Sequence, residues 1–152
     1  MTFQSVQNIQ DQVLSIYNFG TLHSYDLINN INTMIKLKEN NYPDVYIFEF
    51  AAISGNLNIM KWLFEKNCTW NAMVFSWTAS TGNLLNMQWL LENDCPWDFN
   101  TFVGAVENGN LVNMQWLLEN GCPWNELTFE AAIELGNQQV INWLIENGCP
   151  QE

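Results

Sequence analysis

Apolar residues recur along this chain at helical spacing, and the whole pattern of apolar and polar positions returns every 27 residues. Gly55, Gly82, Gly109 and Gly136 mark the period, each followed by Asn. Trp62, Trp89, Trp116 and Trp143 keep the same step, as do Cys68, Cys95, Cys122 and Cys149, and Phe48, Phe75, Phe102 and Phe129. Met60, Met87 and Met114 form a further column, with Ile141 in the last copy. So many columns in register define an internal repeat, whose unit cannot bury its apolar face alone and must stack on its neighbours. A worn fifth copy precedes these four: residues 29–43 run parallel to 82–96, with Lys36 where the others carry Trp. Further upstream, Val6, Ile9, Val13, Ile16 and Tyr17 at helical spacing predict a capping helix over 3–19.

Within a copy the punctuation predicts two short antiparallel helices. Asn71, Asp98 and Asn125 precede apolar runs, where their side-chain oxygens can accept from the first free backbone N–H groups. The glycine column stands about ten residues later, where a left-handed residue ends a helix. Second helices follow over 84–93 and 111–120, closed by Asn-Gly-Cys-Pro, since Pro cannot continue a helix. In the second helix Leu111, Met114 and Leu118 share one arc, with Trp116 on the other side. No alternating stretch of strand length is left over. The expected fold is therefore all-α: residues 1–28 form a capping helix and lead-in, and 29–152 one degenerate and four 27-residue copies, the last acting as a cap.

The third copy reads TFVGAVENGNLVNMQWLLENGCPWN and the fourth TFEAAIELGNQQVINWLIENGCP. This pattern resembles an ankyrin repeat, in which A-A-x-x-G-H-x-x-V-V-x-L-L-L-x-x-G-A stands where this chain has A-A-x-x-G-N-L-x-x-M-x-W-L-L-E-N-G-C. It is more similar still to the short ankyrin-like arrays ending in E-N-G-C-P-W found in large DNA viruses of amoebae and some protists. The resemblance covers about residues 29 to 150. It implies a helical-pair repeat solenoid that binds protein ligands in a concave groove. The step of 27 rather than the family's 33 removes the residues of the projecting β-hairpin, so a solenoid without fingers is expected.

Charge narrows the partners. Sixteen acidic residues face four lysines and no arginine, for a net charge of −12. A chain with so few cations has almost nothing with which to neutralise phosphates or an anionic membrane surface, so nucleic acid and membrane are not expected partners. The imbalance is graded: Lys36, Lys38, Lys61 and Lys66 lie in the first 66 residues, and ten acids from Glu92 to Glu152 stand unopposed. No run approaches the roughly 18 apolar residues of a membrane span, and the N-terminus lacks the regions of a signal peptide. A cytoplasmic protein is expected, in host cytoplasm if the viral resemblance holds.

Candidate chemistry is sparse. Stacked copies set equivalent cysteines roughly 8–10 Å apart. A disulfide needs Cα atoms within about 7 Å. Zinc needs four ligands at about 2.3 Å. The cysteine column therefore reads as small buried thiols, with no metal or cofactor expected. His23, with Ser24, Tyr25 and Asp26, lacks any oxyanion site, and no phosphate-binding loop is present, so the chain is not expected to be an enzyme. Glu126, Glu130 and Glu134 align like charges at i, i+4 and i+8, as suits a polar C-terminal cap or a rim for a basic partner. The tryptophan columns read as packing between layers, or as a wet row able to stack on sugar rings.

In a repeat array, function is sought where columns vary. On the first helices these are Phe50/Trp77/Gly104/Ala131 and Ile53/Ser80/Glu107/Glu134. The expected function is a non-enzymatic protein–protein interaction module whose groove is apolar around Phe50, Ile53 and Trp77 and acidic around Glu107 and Glu134, with Ser80 between. The protein partner would present a basic surface to the acidic half. The alternatives are a structural, self-associating solenoid and a carbohydrate-binding surface on the tryptophan row.

Overall fold

The computed structural model describes residues 31–151. The expected capping helix over 3–19 and the His23 cluster lie outside them. Among the described residues there are nine α-helices and no strand. The worn copy supplies α1 (Ile31–Glu39), and then the helices come in pairs: α2 (Asp44–Ser54) with α3 (Leu57–Glu65), α4 (Ala72–Thr81) with α5 (Leu84–Glu92), α6 (Phe99–Asn108) with α7 (Leu111–Glu119), and α8 (Glu126–Leu135) with α9 (Gln138–Glu146).

Each helix boundary has a local cause. The Asn71 side chain accepts from the Met73 N–H at 3.0 Å, and the Asp98 side chain from the Asn100 N–H at 2.9 Å. At Asn125 the bond runs the other way, its N–H donating to Thr128 Oγ1 at 3.3 Å. The two helices of a pair are joined by a two-residue hinge. Gly82 ends α4 in the left-handed region at φ 74°, and the next residue, Asn83, already caps α5 by accepting from the Asn86 N–H. Asn56, Asn110 and Asn137 cap α3, α7 and α9 in the same way.

Second helices end in a Schellman turn, one residue short of the bound read from sequence. In the first of the four regular copies the Asn67 N–H donates to the Phe64 carbonyl at 2.9 Å and the Cys68 N–H to the Leu63 carbonyl at 3.1 Å. The same pair of bonds recurs at Asp94 and Cys95, Gly121 and Cys122, Gly148 and Cys149, and in the worn copy at Asn41 and Tyr42. All five turn residues have positive φ, which explains why that column holds only Asn, Asp and Gly. It also explains the cysteines: each follows the left-handed residue and is buried against the leucine whose carbonyl its N–H reaches.

Packing follows the pairs. α2, α4, α6 and α8 lie each against the next, each second helix lies against its own first helix, and α1 lies against α2. The core is one continuous cluster running through all the copies, with Phe48, Phe75 and Phe102 fully buried. Tryptophans staple successive copies. Phe102 meets Trp124 at 4.9 Å, and Trp124 meets Trp143 of the following second helix edge-on at 6.2 Å. Trp97 with Trp116 and Trp70 with Trp89 repeat the edge-on contact. Such aromatic pairs contribute about 0.5–1.5 kcal/mol each beyond area burial.

The core stripe of the second helix differs from the arc expected at Leu111, Met114 and Leu118. Asn113, Met114 and Leu117 are buried, while Leu111 and Leu118 are only partly covered. The reason is polar. Asn113 Nδ2 donates to the Gly82 carbonyl at 2.7 Å, and Asn86 Nδ2 to the Gly55 carbonyl at 2.9 Å, so each amide is drawn inward to satisfy a helix-end carbonyl of the preceding copy.

Candidate functional site

The variable columns chosen from sequence all fall on first helices, but they differ in what they present. Phe50 is 2% exposed and stacks on Tyr42 at 6.0 Å, and Trp77 is 5% exposed. Neither offers a broad apolar surface. Ile53, Ser80 and Glu107 are half-buried, and Glu134 is exposed. Three of the six are brought together: Trp77, Ser80 and Glu107 line a cleft where α4 meets α6, with Ser76, Asn100, Val103 and Gly104. Phe50, Ile53 and Glu134 lie outside it.

The cleft exists because α4 and α6 approach closely at Gly104. A Cβ there would lie 2.5 Å from the Ser76 carbonyl oxygen, closer than backbone and carbon can pack. Trp77 and Gly104 stand in the same column of successive copies, large beside small. Asn108 Nδ2 donates to the Ser80 carbonyl at 3.2 Å, tying the two helices near their ends. The cavity is small, about 20 Å³.

Two carboxylates near the site are shifted by burial. Burial pushes the Glu107 carboxyl above its ordinary value. Behind Trp77, Glu49 is 7% exposed, and burial likewise raises its carboxyl, opposed by the Asn71 amide that donates to Oε1 at 3.3 Å. The Trp77 indole N–H completes no hydrogen bond of normal geometry, yet it lies close enough to Glu49 to help hold the negative charge. Sequence reasoning missed Glu49, Ser76, Asn100 and Gly104. Only Gly104 left a signal, as the one glycine in a column that otherwise carries Phe, Trp and Ala.

The cysteines form no cluster. All four are free and buried. The thiols of Cys95, Cys122 and Cys149 donate to the carbonyls of Asn71, Asp98 and Asn125, at 3.9, 3.8 and 3.7 Å, clipping the end of each copy to its beginning. Burial pushes the Cys95 and Cys122 thiols up to about 12. Cys68 is different: Lys38 Nζ donates to its Sγ at 2.9 Å and to Asp44 Oδ1 at 3.2 Å. Among the described residues no group of His, Cys, Asp and Glu could hold a metal ion, and no helix is long and apolar enough to cross a membrane.

The tryptophan row runs along the second helices. Between α5 and α7 an open depression of about 370 Å³ is lined by Leu84, Leu111, Val112, Gln115, Trp116 and Glu119. Trp116 is half-buried there and engaged edge-on by Trp97. At the last copy, Glu126, Leu127, Glu130, Ile133 and Glu134 are all exposed on α8. No protein-family model matches this chain, and no curated protein matches it either.

Proposed function

We propose that this chain is a non-enzymatic protein–protein interaction module of ankyrin-like architecture, a finger-less solenoid similar to the short viral arrays, acting in the cytoplasm. Its first helices form the concave binding face. The observation that carries this reading is the α4–α6 cleft. Recurring columns are consumed by caps, Schellman turns and aromatic staples, whereas Trp77, Ser80 and Glu107, drawn from columns whose residues differ between copies, converge on one opening. Two-residue hinges and the stacking of first helix on first helix support the ankyrin-like assignment. Four buried free thiols fit a reducing compartment. The acidic groove favours a partner with a basic surface.

The test is site-directed photo-crosslinking from the full chain. A benzoylphenylalanine in place of Ser80 or Glu107 should trap a discrete protein, and one in place of Gln115 or Asn142 on the second helices should not. Equal trapping from both faces removes the groove from the reading. A second reading, end-on self-association, is favoured by the exposed Leu127, Ile133 and Leu135 of α8. Light scattering over a concentration series, with Ile133→Asp as the control, separates it from the first: a strict monomer rules it out.

A further inference from the structure

The first regular copy departs from the others at its cysteine. Cys95, Cys122 and Cys149 donate to the carbonyls of Asn71, Asp98 and Asn125. Asp44 stands in that column one copy earlier, and there a lysine enters: Lys38 Nζ donates to Cys68 Sγ at 2.9 Å and to Asp44 Oδ1 at 3.2 Å. Lys38 lies on α1, Asp44 opens α2, and Cys68 follows the turn after α3, so the cluster ties the worn copy to the end of the first regular one. In the register of the worn copy, Lys38 occupies the column of Phe64, Leu91, Leu118 and Ile145, none of which carries an amine.

We propose that Lys38 and Cys68 form a modification site, at which hydrogen peroxide links Nζ to Sγ as a sulfenamide and locks α1 onto the first regular copy. Distance is the first reason. Atoms poised for attack sit about 3–3.5 Å apart. This nitrogen and sulfur are closer still, and the Asp44 carboxylate pins the nitrogen in place.

Proximity also decides which group resolves the oxidised sulfur. A sulfenic acid condenses with a neighbouring thiol or nitrogen. The next cysteine in the ladder is one copy away, roughly 8–10 Å. All four thiols are free, and the nucleophile in contact with Cys68 is an amine.

Access selects the oxidant. Cys68 is 6% exposed, but the Lys38 and Asp44 side chains beside it are 29% and 35% exposed. A water-sized peroxide passes such a partly open pair, whereas a bulky disulfide does not.

The chemistry balances in two steps. The Cys68 sulfur attacks one peroxide oxygen, the O–O bond breaks, and the departing hydroxide takes the thiol proton, leaving a sulfenic acid and one water. Lys38, having given one ammonium proton to solvent, then attacks that sulfur through nitrogen. The N–S bond forms as the S–O bond breaks, and the departing hydroxide leaves as water with a second proton from nitrogen. Sulfur has lost two electrons and the peroxide has become two waters. The lysine charge is gone, and a dithiol reductant restores both groups by attacking the sulfur.

The experiment treats the full chain with hydrogen peroxide and maps the products by mass spectrometry after digestion without reductant. The expected product lacks two hydrogen atoms, resists trypsin after Lys38, carries a Lys38 to Cys68 cross-link, and returns to the starting mass with dithiothreitol. Hydrogen exchange in α1 should slow several-fold in the cross-linked chain and recover on reduction. Lys38→Met should give no cross-link and let Cys68 go on to the sulfinic acid. Peroxide in urea should give little cross-link even with the native sequence, since the fold makes the pair. A parent Cys68 that stops at sulfenic or sulfinic acid, a disulfide in place of the N–S link, or an equal yield in urea each overturn the site. A cross-link that leaves exchange in α1 unchanged overturns the lock.

Discussion

The Asn113 side chain donates to the Gly82 carbonyl at 2.7 Å from a position only 1% exposed, joining a second helix to the helix end of the preceding copy. Asn86 does the same to Gly55. In the flanking copies the column holds Ile59 and Val140. At this position the central copies are thus locked by amides, where the outer ones place an apolar side chain.

Replacing Asn113 with Ala leaves the Gly82 carbonyl without this donor and a small void beside it. The expected loss is about 1–3 kcal/mol, the cost of orphaning a buried polar group. Urea denaturation at fixed pH measures it. Val140→Ala at the equivalent place in the last copy removes only apolar contact and serves as the comparison. Were Asn113→Ala neutral, the inter-copy bond would not be a lock.

The left-handed turn column yields a pair of opposite signs. Asp94 sits at φ 59° just beyond the C-terminus of α5, where both its Cβ and its negative charge are unfavourable. Asp94→Gly should stabilise the chain by about 0.5–1 kcal/mol, the backbone gain being partly offset by the extra freedom of glycine when unfolded. Gly121 is the equivalent residue one copy on, at φ 79°, with open space where a Cβ would go. Gly121→Ala should therefore cost roughly 1 kcal/mol through backbone conformation alone. Thermal unfolding of the two variants should move in opposite directions.

Much of this architecture can be read from the residues, because caps and turns are local. Asn71 and Asp98, the Gly82 column and the Cys-Pro closure mark helix ends within one or two positions. What escapes the sequence is set by contact between copies. Asn113 looks like a surface amide until the Gly82 carbonyl is placed over it. Trp77 varies within its column, which reads as freedom at a surface. Its column instead answers to packing between copies: Trp77 is buried, and Gly104 lets α6 approach the α4 backbone at Ser76. Packing between copies and exposure to a partner both produce variation, and only the packed helices separate them. Ser76 carries no sequence signal at all, since the burial of its Oγ without a hydrogen bond depends on where every nearby acceptor falls.

Glu49 makes stability depend on pH. Burial raises its folded-state value above 4.5, so the native chain binds its proton more tightly than the unfolded chain. The sign follows from linkage: this contribution is fully present below the ordinary carboxyl range and is lost as pH rises through the raised value. Glu49→Gln keeps an acceptor for the Asn71 amide but removes the buried charge. It should be more stable than the parent at pH 7, and the difference should shrink as pH falls towards 4.5. Chemical denaturation at both ends of that window checks it. A parent that matches or exceeds the variant at pH 7 would mean that Asn71 and the Trp77 dipole fully compensate for burial.

Thiol reactivity should rank the cysteines by their neighbours. Burial pushes Cys95 and Cys122 up to about 12, leaving on the order of one thiolate in ten thousand at pH 8. Cys149 is pushed up to about 11. Cys68 is raised by burial too, but the Lys38 ammonium at 2.9 Å opposes the shift and stabilises the anion. The reactive species is the thiolate, so iodoacetamide should modify Cys68 first, Cys149 next, and Cys95 and Cys122 last. In urea the order should vanish, since it belongs to the fold. Lys38→Met then isolates the cause. If the ammonium is what sets Cys68 apart, its rate should drop towards that of Cys95 in this variant while the other three stay unchanged. A Cys68 rate indifferent to Lys38 would instead assign the difference to local opening at the first copies.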